Sequence, residues 1–205
     1  MNKIIIAGAG TDQGKTIVSA IFTTLLQGDY WKPVQSGGEE NFDSDTVKKL
    51  IDPEKHCIYP SAYCLKAPLS PHHAARLENI TIDITRIIPP KTSRPLIIEG
   101  VGGVLVPLTK KNLTIDLFVA WNAKWIIVSR HYVGSINHTL LTINELQKRN
   151  ISIAGIIFNG EFNPDSEAAI LEFSQLPVLG RLLPETMITP KIIQRYAKQW
   201  TRPTL

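Results

Sequence analysis

Short runs of isoleucine and valine without polar alternation recur along this chain, and each ends in a turn before a helical pattern begins. Strands that lack alternation are buried on both faces, which is typical of a parallel sheet covered by helices. Strands that alternate with helices form right-handed βαβ units. The sequence therefore predicts an α/β fold with a doubly wound, mainly parallel sheet, whose strands lie at 4–7, 95–98, 125–128, 153–158 and 177–180.

The segments between these runs supply the helices. Apolar residues at helical spacing predict helices near 14–26, 136–149, 166–175 and 190–199. Residues 38–94 are rich in proline and carry few strand signals, so helices and loops are predicted there, with at most one short strand around Lys32. We expect residues 1–205 to form a single domain.

Composition excludes several classes of protein. Hydrophobic residues make up 43% and charged residues 20% of the chain, enough apolar material for a packed core. The net charge of +4 is scattered, which favours a solvated surface over a nucleic-acid-binding one. The two cysteines, Cys57 and Cys64, fit packed thiols in a reducing compartment, and no apolar run approaches the ~18 residues of a membrane span. We expect a cytoplasmic protein with neither nucleic acid nor membrane as a partner.

The strongest motif is a glycine-rich loop at 8–16, between the first strand and the first helix. Glycines let backbone N–H groups face phosphates, and the helix that follows adds the positive end of its dipole. Lys15 would span the β and γ phosphates, and Thr16 would ligate Mg²⁺. Five residues separate the first and last glycines where the usual motif has four. The residues predicted to hold nucleotide here are Gly8, Asp12, Gln13, Gly14, Lys15, Thr16 and Ile17.

Two further carboxylates lie where a metal could bind. Glu99 closes a predicted strand and precedes a glycine-rich turn, the position at which related folds hold Mg²⁺. Asp12 is either a third carboxylate near the metal or a residue that stabilises the turn. The Asn-Lys-x-Asp motif that reads guanine is absent from the sequence, which argues against a GTPase.

Taken together, several blocks in this order resemble the dethiobiotin synthetase family. The loop 8–16 is similar to that family's Gly-Thr-Asp-Thr-x-x-Gly-Lys-Thr, although Ala9 and Gly10 replace the first Thr-Asp. The other matching blocks, which extend the resemblance over residues 4–185, are Lys32-Pro33-Val34-Gln35-Ser36-Gly37, Ser44-Asp45, Ser70-Pro71-His72, Glu99 to Gly103 with Pro107-Leu108, Arg130 with Gly134 to Thr139, Asn159, and Gly180 with Pro184.

The resemblance implies an ATP- and Mg²⁺-dependent closure of a ureido ring in biotin biosynthesis. The substrates would be 7,8-diaminopelargonate and CO2, and the products dethiobiotin, ADP and phosphate. The path would run through a carbamate and a mixed carbamic-phosphoric anhydride. The family also implies a homodimer in which each subunit helps to bind the other's substrate.

Catalytic and metal-binding roles follow from the same resemblance. Lys15, Lys32 and Thr11 would contact the phosphates or the carbamate, with a surface lysine as the alternative for Lys32. The predicted metal ligands, all of them oxygen donors suited to Mg²⁺, are Thr16, Asp45 and Glu99. Asp45 could instead be a simple helix cap.

The remaining roles concern substrate and base. Ser36 would offer its hydroxyl to the substrate, and Gly134, Ser135, Ile136 and Asn137 open a helix whose free N–H groups could hold the substrate carboxylate. Asn159 and Pro184 would contact adenine, although Asn159 could also be an ordinary turn residue.

Two other functions are also compatible with a glycine-rich phosphate loop, although each is usually accompanied by a feature that this sequence lacks. Related amide-forming ligases such as the cobyrinate amidases add a glutamine-hydrolysing domain, for which 205 residues leave no room. Regulatory ATPases of the partition or septum-placing type carry an extra lysine ahead of Gly-Lys-Thr, whereas residues 9–13 here contain none.

Overall fold

The structure is a computed structural model that describes residues 2–37 and 42–204. Its core is a seven-stranded sheet in which every neighbouring pair is parallel. The strands, in their order across the sheet, are β4 (Ile58–Tyr59), β2 (Asp29–Trp31), β6 (Leu96–Glu99), β1 (Lys3–Gly8), β7 (Lys124–Arg130), β8 (Ile153–Asn159) and β9 (Val178–Leu182). The predicted doubly wound α/β fold is confirmed.

Helices cover both faces of this sheet. One face carries α1 (Lys15–Leu26), α2 (Asp43–Leu50) and α7 (Pro190–Gln199). The other face carries α3 (Pro71–Leu77), α4 (Thr114–Val119), α5 (Ser135–Lys148) and α6 (Pro164–Ser174). The helices predicted at 136–149, 166–175 and 190–199 are confirmed to within about two residues at each end.

The central strand β1 shows why the apolar runs lack alternation. Ile4 and Ile6 pack into the core beneath α1, while Ile5 and Ala7 pack into the core on the opposite face. All four side chains are at most 3% exposed. Successive strand residues point to opposite faces, so a strand covered on both sides must be apolar throughout.

Residues 38–94 contain more strand than the sequence predicts. Besides β4, they include β5 (Tyr63–Leu65), which pairs in parallel with β3 (Val34–Ser36) in a separate two-stranded sheet. Pro33 lies between β2 and β3 and has no N–H to donate to the main sheet. The chain therefore leaves the sheet there, and the prediction of at most one short strand is wrong.

Because the strands are parallel, their carboxyl ends meet at one edge of the sheet, where ligands bind in folds of this kind. Gly8, Trp31, Glu99, Arg130 and Asn159 are the last residues of β1, β2, β6, β7 and β8. Among the described residues, the longest helices fall short of the length and apolar character that would carry them across a membrane.

Candidate active site

A cavity of about 800 Å³ opens at this edge of the sheet. It brings together most of the residues predicted from the glycine-rich loop with others from distant segments. Its walls are formed by Thr11 to Ile17, Lys32, Ser36, Asp43, Pro68 to Pro71, Glu99, Val101, Gly102, Val106 and Arg130.

The glycine-rich loop runs directly into α1. Gly14 caps the helix with φ of +90°, a conformation that L side chains rarely adopt. A Cβ at this position would lie 2.5 Å from Asn159 Nδ2 and would push that amide away from the Gln13 carbonyl to which it donates. The first turn of α1 lines the cavity. Backbone N–H groups at a helix N-terminus have no partner within the helix, and such groups commonly bind phosphate.

The side chain of Lys15 folds back over this loop. Its Nζ donates a hydrogen bond to the Gly10 carbonyl at 2.6 Å, and the residue is only 7% exposed. Burial lowers the pKa of Lys15 to about 8, against the opposing pull of the Glu99 carboxylate. An anionic ligand in the cavity would raise this pKa again, because a nearby negative charge favours the ammonium form.

Two neighbouring strands hold the loop in place through Gln13. The backbone N–H of Arg130 donates to Gln13 Oε1 at 3.0 Å, and Asn159 Nδ2 donates to the Gln13 carbonyl at 2.8 Å. The Arg130 guanidinium also donates to the Asp12 carbonyl at 3.2 Å. The ends of β7 and β8 therefore fix the conformation of the loop.

Four side chains from four separate segments form a compact cluster beside the loop, which we call the carboxylate cluster: Thr16, Lys32, Asp43 and Glu99. The Thr16 hydroxyl lies 3.0 Å from Asp43 Oδ1 and 2.9 Å from Glu99 Oε1. Lys32 Nζ donates to Glu99 Oε1 at 3.0 Å and also forms an ion pair with Asp43. A fifth residue, Tyr30, donates from its hydroxyl to Glu99 Oε2 at 2.8 Å.

Opposite charges keep Lys32 and Asp43 ionised. Burial would lower the pKa of Lys32, but the carboxylates of Glu99 and Asp43 outweigh it and raise that pKa. Burial would raise the pKa of Asp43, but the Lys32 ammonium has the larger effect, so that pKa is lowered. Burial, followed by the charge of Glu99, raises the pKa of Tyr30 well above its ordinary value, so its hydroxyl keeps its proton.

The donor set of the carboxylate cluster fits Mg²⁺. A hydroxyl and two carboxylates are hard oxygen ligands, and Mg²⁺ commonly takes few protein ligands and keeps several waters. The Lys32 ammonium already lies between Asp43 and Glu99, which shows that the two carboxylates converge on a cation. Within the described part of the chain, no group of three or more His, Cys, Asp or Glu side chains forms a denser metal site.

The structure places one predicted metal ligand outside the cavity. Asp43 contacts Thr16 and Lys32, whereas Asp45 is exposed and lines a separate depression with Ser44 and Lys48. Helix α2 begins at Asp43, and two residues along a helix turn a side chain by about 200°. Asp45 therefore faces away from the cavity, and Asp43 replaces it as the candidate ligand.

Other predicted residues lie at varying distances from the cavity. Ser36 lines it, and its Oγ is buried without a hydrogen-bond partner. Asn159 touches the loop from behind, and Pro184 is exposed just after β9. Gly8 is packed against Gln13 and Val128 beneath the loop. The segment Gly134 to Asn137 starts α5 and is not among the residues that line the cavity.

Sequence reasoning missed three contributors to this site. Asp43 lies just ahead of Ser44-Asp45, the pair on which the family resemblance rests, and that pair pointed to Asp45 instead. Arg130 was matched to the family without a role, although its place at the end of a central strand is a usable signal. Tyr30 gave no signal of its own, because only the pairing of β2 with β6 brings it beside Glu99.

Comparison with known proteins supplies the family. A family model described as an AAA domain matches residues 2–191. The ATP-dependent dethiobiotin synthetase BioD of Cytophaga hutchinsonii is 48% identical over 198 residues, which cover 96% of each chain. The protein of the same name from Chlamydia pneumoniae is 46% identical over 200 residues, covering 98% of this chain and 90% of that protein.

Solved structures with the same fold are more distant in sequence. A ParA family ATPase from Chlorobium tepidum has a TM-score of 0.62 at 13% identity, covering 96% of this chain and 97% of that one. The MinC:MinD cell division protein complex of Aquifex aeolicus has a TM-score of 0.62 at 15% identity, covering 100% of this chain and 98% of that one. At this level of identity the likeness shows the fold alone. The sequence matches go further, and the chain belongs to the AAA domain family and, within it, to the ATP-dependent dethiobiotin synthetases.

Proposed function

We propose that this protein closes the ureido ring of dethiobiotin from 7,8-diaminopelargonate and CO2, with conversion of ATP to ADP and phosphate. The observation that carries the proposal is the carboxylate cluster beside the glycine-rich loop, with Lys15 and Lys32 lining one cavity. Two cations and a loop of N–H groups suit a reaction in which two anions have to meet. The family of the chain supports the identity of the substrates.

The proposed reaction proceeds in three steps. An amine of 7,8-diaminopelargonate attacks CO2 and loses a proton, which gives a carbamate. A carbamate oxygen then attacks the γ-phosphorus, and ADP leaves as the γ-phosphate bond breaks. Finally the second amine attacks the carbonyl carbon of the mixed anhydride, the bond to the phosphate oxygen breaks, and phosphate and a proton are released with dethiobiotin.

The loop and α1 would hold the triphosphate. Backbone N–H groups of the loop and the first turn of α1 offer donors to phosphate oxygens, and Lys15 would leave the Gly10 carbonyl to pair with the β and γ phosphates. Thr11, which lines the same cavity, offers a hydroxyl. Asn159 and Pro184 are proposed to contact the base, because Asn159 ends β8 and Pro184 follows β9, just behind the loop.

Thr16, Asp43 and Glu99 would hold Mg²⁺, and the hydroxyl and carboxylate contacts of this group support that assignment. When bound, the ion would offset negative charge on the phosphates. Lys32 would contact the carbamate and the γ-phosphate, since its ammonium lies in the same cavity as Lys15. The buried, unpartnered hydroxyl of Ser36 would complete its hydrogen bonding with the substrate.

We further propose that the protein works as a homodimer. The segment Gly134 to Asn137 lies outside the cavity of its own chain, at the N-terminus of a 14-residue helix. Val133, just before it, is 103% exposed, and Leu141 on the same helix is 59% exposed. A second subunit would cover these apolar side chains, and the N-terminus of α5 would hold the substrate carboxylate in the partner's cavity.

The setting of the reaction follows from these assignments. We propose that residues 1–205 act as one catalytic domain, since both helical layers pack on one sheet. We also propose that the protein works in the cytoplasm, where ATP is available.

The direct test is formation of dethiobiotin by the purified protein. With ATP, Mg²⁺, 7,8-diaminopelargonate and ¹³C-labelled bicarbonate, mass spectrometry should detect dethiobiotin carrying one heavy carbon. A Lys15→Ala protein is the matched control and should give none. Failure of the wild-type protein to make labelled dethiobiotin under these conditions would refute the proposed reaction.

A further inference from the structure

Tyr30 is a buried residue whose hydroxyl donates a hydrogen bond to the carboxylate cluster. It lies in the middle of β2, it is 0% exposed, and its ring packs among the apolar side chains beneath α1 and α2. Its neighbour across the sheet is Ile97 of β6, two residues before Glu99 on the same face. The register between β2 and β6 therefore places the Tyr30 hydroxyl next to the Glu99 carboxylate.

The two oxygens of Glu99 have different partners. Oε1 faces the cavity and lies within 3.0 Å of both Thr16 Oγ1 and Lys32 Nζ. Oε2 is turned toward the interior and accepts the Tyr30 hydroxyl at 2.8 Å. Glu99 as a whole is 1% exposed, so water does not offer an alternative donor to Oε2.

We propose that Tyr30 is a positioning residue, which holds Glu99 Oε2 so that Oε1 alone is presented to the cation site. This inference rests on the proposed assignment of Glu99 as a Mg²⁺ ligand. The hydroxyl keeps the carboxylate in one orientation and supplies the hydrogen bond that its second oxygen requires. Without it, Oε2 would rotate toward the nearest cation, which is the Lys32 ammonium or the metal.

The test is the gain in nucleotide affinity that Mg²⁺ provides, measured without turnover. Calorimetry with a non-hydrolysable ATP analogue gives one dissociation constant in excess Mg²⁺ and another in excess EDTA. The ratio of the EDTA value to the Mg²⁺ value is the Mg²⁺ gain. In Tyr30→Phe we expect the EDTA value to stay within about twofold of wild type and the Mg²⁺ gain to fall about tenfold, the loss typical of removing a partner that orients a metal ligand. A fall in folding stability alone would not lower the Mg²⁺ gain while leaving the dissociation constant in EDTA unchanged.

The matched control is Tyr59→Phe on the neighbouring strand β4. Its hydroxyl donates to the Lys91 carbonyl on the exposed side of the protein, away from the cavity. This variant removes the same atom and should keep the full Mg²⁺ gain. An unchanged Mg²⁺ gain in Tyr30→Phe would overturn the inference.

A second pair of variants keeps the test decisive if Tyr30→Phe folds poorly. Glu99→Gln removes the buried charge that the Tyr30 hydroxyl stabilises, and an unpaired neutral group costs less than an unpaired charged one, so Tyr30→Phe combined with Glu99→Gln should fold. In the Glu99→Gln background, loss of the hydroxyl should leave the Mg²⁺ gain unchanged, and a further tenfold fall would overturn the inference.

The role of Tyr30 and the proposed reaction can fail separately. A reduced Mg²⁺ gain in Tyr30→Phe, in a protein whose wild type makes no dethiobiotin, would refute the reaction and support the role of Tyr30. An unchanged gain alongside normal dethiobiotin formation in the wild type would refute the role of Tyr30 alone.

Discussion

The carboxylate cluster joins residues that lie far apart in the sequence. Thr16 opens α1, Lys32 follows β2, Asp43 opens α2 and Glu99 closes β6. Two carboxylates and one ammonium give the cluster a net negative charge, which attracts a divalent cation. The geometry therefore suits both the proposed metal site and the proposed role of the lysine beside it.

Lys32→Ala should separate nucleotide binding from turnover. The substitution removes the cation proposed for the carbamate while leaving the loop and Lys15 intact. We expect kcat for dethiobiotin formation to fall by about 10²–10³, the range found when one donor to a developing charge is removed. The dissociation constant of a non-hydrolysable ATP analogue should change less than threefold. Lys49→Ala, an exposed lysine on α2, is the control, and normal turnover in Lys32→Ala would contradict the role.

Asp43→Asn and Asp45→Asn form a matched pair on one helix. Asp43 belongs to the carboxylate cluster, whereas Asp45 faces solvent. We expect Asp43→Asn to raise the Mg²⁺ concentration for half-maximal dethiobiotin formation at least tenfold, because a charged ligand is lost. Asp45→Asn should leave the Mg²⁺ titration unchanged. The reverse pattern would restore Asp45 as the ligand.

Individual site residues differ in how well the sequence locates them. Glu99 directly follows an apolar run, and Lys15 and Thr16 belong to a glycine-rich motif that starts where another apolar run ends, so the carboxyl edge of the sheet fixes their position. Asp43 and Asp45 lie in a stretch where capping residues crowd together, and one residue decides which of them faces the site. The sequence alone does not set that rotation, because it depends on how α2 packs against α1.

At the scale of elements, the long buried strands are predictable and the short ones are not. Strands β1, β7 and β8 each carry at least six residues and can be recognised by composition. Strands β4 and β5 have two and three residues, too few to show a period. These two strands form because β2 and β3 pair with them. Such pairing joins distant parts of the chain, so the residues of the short strands do not reveal it.

The start of α4 offers a test of local stability with a defined pH dependence. The Leu113 N–H donates to Asp116 Oδ2 at 2.7 Å, and this bond, followed by Arg149, holds the pKa of Asp116 below its usual range. We expect Asp116→Asn to lower the free energy of unfolding by about 1 kcal/mol at pH 7, as for a lost helix cap. Urea denaturation followed by circular dichroism measures this.

The sign of the pH effect follows from the lowered pKa of Asp116. Its stabilising contribution is complete above about pH 4 and is lost as the pH falls through the lowered value. The difference in the free energy of unfolding between wild type and Asp116→Asn should therefore become smaller at acidic pH. Asp165→Asn, an exposed first-turn aspartate of α6, is the control and should show little change. A difference that widens in acid would contradict the capping role.

For the whole molecule, the fold and the function are specified by different parts of the chain. A sheet of this topology is shared with a ParA family ATPase and with MinD at 13–15% identity. The regulatory ATPases considered from the sequence would need a lysine between residues 9 and 13, and the chain has none there. Function is therefore argued from the side chains at the carboxyl edge, not from the fold.

The proposed dimer predicts a particle of twice the mass of one 22.8 kDa chain. Size-exclusion chromatography with light scattering should detect it. Val133→Asp places a charge on a fully exposed apolar residue beside the N-terminus of α5, and we expect it to favour the monomer and to raise the KM for 7,8-diaminopelargonate. Phe173→Asp, an exposed apolar residue on α6, is the comparison variant. A wild-type monomer with full activity would contradict the dimer.

The central claim is that this cavity couples ATP cleavage to ring closure. Phosphate release by the purified protein with ATP and Mg²⁺, measured with 7,8-diaminopelargonate and bicarbonate together and with each omitted, tests it most directly. We predict release only when both are present, with one phosphate formed for each dethiobiotin. Release that is independent of these substrates, or no release at all, would contradict the claim.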